Sequence, residues 1–372
     1  MGIYDETYLA GYAWTPVGDD VVQQLDELVF ETCSAALRNA GVRRHQIGLS
    51  VTSSLDLYDA RSISSALTAP AAAGYLTDEV RVEGDSGAAL LLAAAGLASG
   101  STEYAIVVAV HVPEVGSTSE RAVRRIDEQV SSYTFDAHMD RPIGMTSTVT
   151  LGLHAASQVD AGLASFDEMA ERTAADISRG AVRRGKRSAV TAAEVRSAPM
   201  AVAPLTELML PAASAGVGVV VLASGAAGRR CPNPTARITG WGKATAPATS
   251  NPGWLRDPYA ATMQARRQAY LLAGLSDPAG QVSAVEMTDL SPALSGPLLT
   301  ALDLEALAPE FVNASGGVRS SHPGIAGGVL RVLEAADALA AGPPDGIAVV
   351  HTCDDLCGLV SSTATVLVLE AR

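Results

Sequence analysis

A single histidine in the C-terminal third of the chain stands among five glycines. His322 lies in the stretch VNASGGVRSSHPGIAGGVL, residues 312–330, whose glycines let the backbone take shapes that a side chain forbids and let a ligand approach the main chain. Pro323 suits the first turn of a helix, because the N–H that proline lacks has no partner there. The N-terminus of a helix favours negative charge, so the pattern predicts the frame of a site around His322.

Two cysteines near the C-terminus form a second group. Cys353 and Cys357 follow a predicted strand that runs towards His351, and their spacing matches neither a redox CxxC motif nor half of a zinc site. Their position past a strand end makes them candidates for a site, and small residues of a loop are the alternative. A histidine at a strand end, such as His351, is more often a core residue with satisfied hydrogen bonds.

A third group precedes a run of small apolar residues, GDSGAALLLAAAGLAS, which predicts a buried helix. Ser86 could act as a hydroxyl nucleophile, but the sequence offers no base to activate it. Serine and aspartate are common residues at helix N-caps, and we favour that role for Ser86. Glu83 could act as a general base, or it could be a buried acid that pairs at a subunit interface.

The composition indicates a large, acidic and soluble protein. The 372 residues are 48% hydrophobic with a mean hydropathy of +0.21, which is enough for a sizeable core, and the net charge is −14. This charge argues against nucleic acid or an anionic membrane as the main partner. A basic cluster at 183–187 could bind an anionic ligand or be a solvated helix end. Few cysteines and no apolar leader predict a cytoplasmic protein.

Helix and strand patterns alternate along the chain and predict an α/β protein with two similar halves. A small-residue helix, a turn and a strand before His111 recur as a small-residue helix, a turn and a strand before His351. Residues 1–230 would form the first half, with a more polar helical insertion at about 113–196, and residues 231–372 the second. Because ligands bind at the carboxyl ends of strands in such sheets, we expect the N-termini of the two repeated helices to face one cleft.

These residues resemble the thiolase superfamily over nearly the whole chain, and the most similar branch is that of sterol-carrier-protein thiolases and thiolase-like acetyltransferases. VNASGGVRSSHPGIAGGVL is similar to the family's VNPSGG…GHPxGAxG, and further family segments resemble GDSGAALLLAAAGLASGSTEYAIVVAV, APLTELMLPAASAGVGVVVLAS, VEMTDLSP and SSTATVLVLE. The resemblance implies a thiolase fold of two βαβαβαββ halves in five layers, αβαβα, and a tight homodimer. It also implies acyl chemistry on a thioester carried by CoA or a carrier protein, with no further cofactor and no metal.

The chain departs from the family's pattern in three places. Family enzymes carry a cysteine in a C-x-[ST]-G motif before the buried helix, where the helix N-terminus lowers its pKa. Aligning Ser86 with that motif puts Gly84 at the cysteine's position, and counting back by the usual helix length puts Glu83 there. Thr288 stands where the family has Asn or His. The usual Cys-x-Gly or Gly-x-Gly-Gly turn near the C-terminus is CDDLCG, residues 353–358.

The resemblance also implies roles for residues of this chain. His322 could donate a hydrogen bond to a thioester carbonyl as an enolate or oxyanion forms, or act as a base; the alternative is that it only holds the glycine-rich loop. Cys353 or Cys357 could act as acid and base, or replace the missing nucleophile. Glu83 could act as a base or mimic a carboxamide. The residues expected to bind the substrate are Gly84, Asn313, Gly316, Gly317, Thr288 and His351.

Two functions are consistent with these observations. In the first, the protein is an acyltransferase, or an enzyme that forms or cleaves a C–C bond, and it acts on an acyl thioester without an acyl-cysteine. In the second, it is a non-catalytic partner subunit that shapes a cleft for an active enzyme. We expect a homodimer, or a complex with another thiolase-fold protein or an OB-fold protein. The glycine-rich stretch around His322 favours the first function, and the missing cysteine favours the second.

Overall fold

Strands from both ends of the chain join in one nine-stranded sheet. The computed structural model describes residues 7–19, 23–59, 68–113, 117–183, 187–232, 234–246, 257–354 and 363–372. Cys357 lies outside these ranges. The strands are β1 (Thr7–Val17), β2 (Leu49–Ser53), β3 (Asp78–Val82), β4 (Tyr104–His111), β5 (Met200–Val202), β6 (Leu205–Thr206), β7 (Ala215–Ser224), β8 (Ala236–Thr245), β9 (Val282–Met287), β10 (Ile347–Cys353) and β11 (Thr363–Ala371).

Helices separate most of these strands, as the alternating pattern predicts. They are α1 (Leu25–Ala40), α2 (Asp56–Asp59), α3 (Ser86–Ala98), α4 (Glu120–Ser132), α5 (Ser147–Asp160), α6 (Phe166–Arg183), α7 (Ala192–Ser197), α8 (Gly225–Gly228), α9 (Ala260–Ala273), α10 (Pro278–Gln281), α11 (Pro292–Ala301), α12 (Gly317–Ser320) and α13 (Gly327–Ala341). No helix among the described residues is long and apolar enough to cross a membrane.

The strand order is β3-β2-β4-β7-β1-β8-β11-β10-β9. Corresponding strands occur in reverse order on the two sides of the β1–β8 pair. On one side β7 runs antiparallel between β1 and β4, and β2 and β3 continue parallel to β4. On the other side β11 runs antiparallel between β8 and β10, and β9 continues parallel to β10. Val312 forms one parallel bridge with Val285 of β9, at the place that β3 occupies beside β2. The second half therefore repeats the topology of the first, and its edge strand is reduced to this single bridge.

The two halves of the sheet meet through a short antiparallel pairing of β1 with β8, in which residues 7–9 face residues 236–238. Helices α3 and α13 lie between the halves, and their apolar side chains form one core with residues of β2, β4, β7, β8, β10 and β11. Helix α1 packs on the outer side of the first half, and α9 and α11 pack on the outer side of the second. The resulting order of helix, sheet, helix, sheet and helix is the five-layered α/β architecture that the sequence predicts.

The two central helices touch at their N-terminal turns. A Cβ added to Gly328 of α13 would lie 2.4 Å from the backbone nitrogen of Gly87 in α3 and 2.6 Å from Asp85 Oδ1. The backbone N–H of Val329 donates a hydrogen bond of 2.8 Å to the hydroxyl of Ser86, which gives one of the unpaired N–H groups at the start of α13 a partner. Only glycine allows this approach. The structure thus places the N-termini of both repeated helices together.

Helices α4 to α7 lie within the polar segment that the sequence predicts as an insertion. Helix α4 is amphipathic in the structure, and its buried residues are Val123, Val130 and Ser131. Strands β5 and β6 form a separate two-stranded sheet that follows α7. The bounds of the two halves and of the insertion, at residues 113–196 and at the junction of 230 with 231, stay predictions.

Adding one methyl group at Gly328 should destabilise the fold. Because the new Cβ would meet the backbone of α3 rather than a flexible side chain, we expect Gly328→Ala to lower the free energy of unfolding by about 1–3 kcal/mol. Gly296→Ala in α11 is the matched control, since a Cβ there meets no atom within 4 Å and alanine favours helix by up to about 1 kcal/mol. Urea unfolding of both variants checks this, and equal stabilities would show that α3 can move away from α13.

Candidate functional site

The N-terminal turn of α3 is capped by Asp85 and joined to two other elements. Asp85 Oδ2 accepts hydrogen bonds from the backbone N–H of Gly87, at 3.0 Å, and from the hydroxyl of Thr352 at the end of β10. Ser86 follows the cap, is fully buried and accepts the hydrogen bond from Val329. The prediction of Ser86 as the N-cap is therefore wrong by one residue. Its buried hydroxyl connects the two central helices.

His322 lies beside the N-terminus of α13. Its Cε1 is 3.4 Å from the position that a Cβ on Gly327 would take, and the residue is 6% exposed. The backbone N–H of His322 donates to the Ala212 carbonyl oxygen at 2.8 Å, and its own carbonyl oxygen accepts from Ser214 N–H at 3.1 Å. Pro323 precedes a 3₁₀ turn, Gly324–Ala326, and α13 itself begins only at Gly327. The 3₁₀ turn thus separates the histidine, in sequence, from the N-terminus of α13 that it faces.

A cavity of about 50 Å³ opens next to His322. It is bounded by α4 and α5, by the segment before β7 and by the loop after β9. Its lining residues are Arg124, Asp127, Glu128, Ser147, Thr148, Leu151, Pro211, Ala213, Leu290 and His322. A larger cleft of about 880 Å³ shares Arg124, Glu128 and Thr148 with this cavity. The shared residues make the cleft the approach from the surface to His322.

Arginine and glutamate side chains line the larger cleft. Arg187 and Arg124 both donate to Glu120, the latter at 2.6 Å. Burial alone would raise the pKa of Glu120, but its hydrogen bonds and charge interactions with these two arginines lower it. Arg121 also lines the cleft, and its exposed guanidinium makes no ion pair with any residue that the structure describes. An anionic ligand could therefore pair with Arg121 without breaking an existing bridge.

The ends of β9 and β10 bring three predicted residues together. The backbone N–H of Thr288 donates to the His351 carbonyl oxygen at 3.0 Å, and Cys353 Sγ lies 3.9 Å from the Thr288 carbonyl oxygen. All three residues are buried. The His351 ring points to the other face of β10 from Thr352, where its Nε2 lies 3.1 Å from Thr262 Oγ1. His351 and Cys353 therefore lie on the α9 side of the sheet.

The glycine-rich loop is held by its own contacts. Asn313, with a positive φ of 47°, accepts a hydrogen bond of 2.8 Å from Met287 N–H and donates one of 3.0 Å to Asp289 Oδ1. Gly316 has a φ of 92°, and a Cβ there would lie 2.6 Å from the backbone nitrogen of Gly180 in α6. Gly317, the next residue, packs against Asn313. In the structure these three predicted substrate-binding residues position the loop that carries His322.

Two buried charge clusters support the loop from behind, and the sequence does not reveal them. Arg319 is fully buried and pairs with Asp176 of α6 and with Asp289. Burial raises the pKa of Asp176, and the Arg319 charge opposes that rise. Arg331 pairs with the carboxylates of Glu286 and Glu334, and burial first, then the charge of Glu334, raise the pKa of Glu286 to about 7. Arg331 and Glu334, which with Asp337 are the charged residues of a mostly apolar helix, give only a weak sequence signal for the second cluster.

Glu83 and Gly84 lie at the other end of the α3 turn. The Glu83 side chain is 56% exposed and lies 3.7 Å from Arg81 at the edge strand β3, so the structure does not bring it to His322. The Gly84 carbonyl oxygen accepts a hydrogen bond of 2.8 Å from the Ser53 hydroxyl. No group of three or more potential metal-binding side chains occurs within the described ranges.

Comparison with known proteins identifies the fold. No family model and no curated protein matches the chain. Among solved structures, it is similar to a protein titled "Ltp2-ChsH2(DUF35) aldolase", with 17% identity over 98% of each chain and a TM-score of 0.78. It is also similar to human mitochondrial 3-ketoacyl-CoA thiolase, with 14% identity over 100% of each chain and a TM-score of 0.77. The chain has the thiolase fold.

The buried histidine on β10 predicts a loss of stability in acid. Burial lowers the pKa of His351 to about 4, against roughly 6.5 in an unfolded chain. As the pH falls, the unfolded chain binds the proton at a higher pH than the folded protein does. The free energy of unfolding is therefore fully retained above about pH 6.5 and falls by roughly 1 kcal/mol per pH unit as the pH drops towards 4. His351→Gln should flatten this slope, as measured by urea unfolding at pH 7 and pH 5. The exposed His45→Gln is the control, and identical slopes in both variants would contradict the assignment.

Proposed function

We propose that this protein acts on an acyl thioester without forming an acyl-enzyme, either transferring the acyl group or forming or cleaving a C–C bond. The thiolase fold supports this class of chemistry, since one similar structure is named as a 3-ketoacyl-CoA thiolase and another as an aldolase. The observation that carries the proposal is the position of His322, beside a helix N-terminus and in the small cavity that shares three lining residues with the cleft.

The start of α3 favours a reaction without a covalent intermediate. The turn before α3 has the sequence Gly84-Asp85-Ser86 and contains no thiol. The hydroxyl of Ser86 is bonded to α13, and the carboxylate of Asp85 is engaged in capping α3 and in binding Thr352. We infer that the acyl group stays on its own thioester sulfur until it reacts.

In this mechanism His322 donates a hydrogen bond to the thioester carbonyl oxygen. Negative charge develops on that oxygen as an enolate or a tetrahedral intermediate forms, and the adjacent N-terminus of α13 stabilises it further. The rest of the thioester would occupy the larger cleft, where Arg121 can pair with a phosphate of its carrier. Coenzyme A or an acyl carrier protein enters as part of the substrate, and the proposal requires no further cofactor.

A second candidate is the non-catalytic partner subunit. It is favoured by the closed contact at the start of α3, where Ser86 and Asp85 occupy the place at which an acyl-enzyme would form. For either function we propose a homodimer or a complex in the cytoplasm. Support for a partner is a largely apolar groove lined by Leu91 and Ala95 of α3 and by Trp241, Leu271 and Leu272.

Replacing His322 should separate the two candidates. We expect the purified protein alone to turn over members of a panel of acyl-CoA, 3-hydroxyacyl-CoA and 3-ketoacyl-CoA thioesters, and His322→Ala to lower kcat about 10²–10³-fold, because one oxyanion donor is lost. The exposed His45→Ala should leave kcat unchanged. Turnover that appears only after a second protein is added would establish the partner-subunit function instead.

Direct chemistry on the thioester also predicts that no acyl-enzyme accumulates. After incubation with an acyl-CoA that the protein turns over, mass spectrometry of the peptide containing residues 83–86 should show no mass increase, because the Ser86 hydroxyl is buried and hydrogen-bonded. The same digest of a thiolase with an active-site cysteine serves as the positive control. An acyl adduct on Ser86 would refute the direct mechanism.

A further inference from the structure

His111 ends strand β4 beneath the turn that follows His322. Its side chain is fully buried, its Cε1 lies 2.6 Å from the position of a Cβ on Gly324, and its ring packs edge-on against Tyr58 with centroids 4.5 Å apart. Its Nε2 lies 3.3 Å from Asp127 Oδ1. Neither ring nitrogen makes a well-aligned hydrogen bond within the ranges that the structure describes. Asp127 is thus the carboxylate that faces this buried imidazole.

Asp127 also reaches the cavity that contains His322. Its side chain is a quarter exposed and lines that cavity. The other charged groups there are engaged elsewhere, since Arg124 pairs with Glu120 and Glu128 accepts a hydrogen bond from a threonine hydroxyl of α5. One carboxylate therefore connects the buried imidazole with the space in front of His322.

The position of Asp127 on α4 is itself unusual. Val123, Asp127 and Val130 follow one another at spacings of four and three, which places them on one face of the helix, and both valines are buried. A carboxylate on the buried face of a helix costs free energy unless it is paired. Solubility does not require an acid on the buried face of α4, because the helix has other polar residues for its exposed face. The acid at position 127 therefore needs another explanation.

We propose that Asp127 is the acid–base residue of this site and that His111 is a positioning residue that holds its carboxylate. The inference rests on the proposed function and supplies the proton transfer that direct thioester chemistry needs. Asp127 touches the substrate space, so it exchanges the proton itself. His111 does not line the cavity, and it acts through Asp127, because its Nε2 lies 3.3 Å from Asp127 Oδ1 and holds that carboxylate in place.

The step conserves atoms and electrons without an oxidant or a second reactant. The carboxylate of Asp127 takes a proton from the α-carbon of the acyl thioester, and the C–H bond breaks. Its electron pair forms the enolate, whose oxygen accepts the hydrogen bond from His322. The protonated Asp127 then returns a proton to the α-carbon, or to the product when the enolate has reacted with a second substrate. In heavy water the proton held by Asp127 exchanges with solvent deuterium, so this cycle replaces α-hydrogen with deuterium.

The exchange reaction tests the inference separately from the proposed function. Acetyl-CoA and propionyl-CoA are incubated with the protein in heavy water, and deuterium at the α-carbon is followed by mass spectrometry. We expect exchange by the wild-type protein, at least a 100-fold loss in Asp127→Asn and Asp127→Ser, and unchanged thioester affinity in both. Asp160→Asn, an exposed acid at the end of α5, is the control. Circular dichroism checks that the variants are folded.

Variants of His111 test its positioning role through the exchange rate and its recovery. His111→Leu removes the imidazole that faces the Asp127 carboxylate, so the exchange rate should fall while the thioester affinity stays unchanged. His111→Gln places an amide N–H near ring Nε2 and should restore part of the lost rate. Arg124, Glu128 and His322 face the same cavity and are common to both variants, so a difference between them reports on His111.

The outcomes test the roles of Asp127 and His111 separately from the proposed function. Exchange that persists in the Asp127 variants overturns this inference and leaves the proposed function standing. Equal exchange rates in the wild type and His111→Leu, or no recovery of the rate in His111→Gln, overturn the positioning role. No exchange by the wild-type protein with either thioester overturns this inference, whereas no turnover of any thioester in the panel overturns the proposed function itself.

Discussion

The contact between the N-terminal turns of α3 and α13 fixes the geometry of the whole site. Gly328 lies so close to the backbone of Gly87 that it cannot carry a side chain, and the hydrogen bond between Val329 and Ser86 holds the two turns together. The sheet halves must therefore lie on either side of a helix pair whose positive ends point to one place. His322 takes its position from that constraint, since its ring packs against the first residue of α13.

Much of the fold could be predicted from the sequence, because local patterns carry that information. The period of the apolar residues distinguishes strands from helices, and the run of small residues predicted as a buried helix forms α3 in the structure. The repeated order of small-residue helix, turn and strand predicts two halves, and the mirrored strand order agrees with it. The bounds of α4 are harder to predict, because its segment, ERAVRRIDEQVSS, is strongly polar and buries only two large side chains.

The site could be predicted only in part, because its decisive contacts join residues far apart in the chain. The glycines around His322 can be recognised in the local sequence, whereas the approach of Asp127 to His111 depends on how α4 lies across β4. Ser86 shows the same limit. Its type and position suggest an N-cap, but Asp85 has that role, and the hydroxyl of Ser86 instead accepts a hydrogen bond from a residue 243 positions away.

The packing of the glycine-rich loop against α6 has a consequence for motion. Gly316 lies against the backbone of Gly180, and Arg319 is buried between Asp176 of α6 and Asp289. Lifting α6 would leave these buried charges unpaired, at a cost of about 3–5 kcal/mol, so this helix cannot swing as a lid. Widening of the cavity for a bulky acyl chain must come from the opposite wall, where α4 and α5 supply most of the lining. One wall of the cavity is thus rigid and the opposite wall can adjust. Chain-length selectivity should reside in the adjustable wall, which α4 and α5 form.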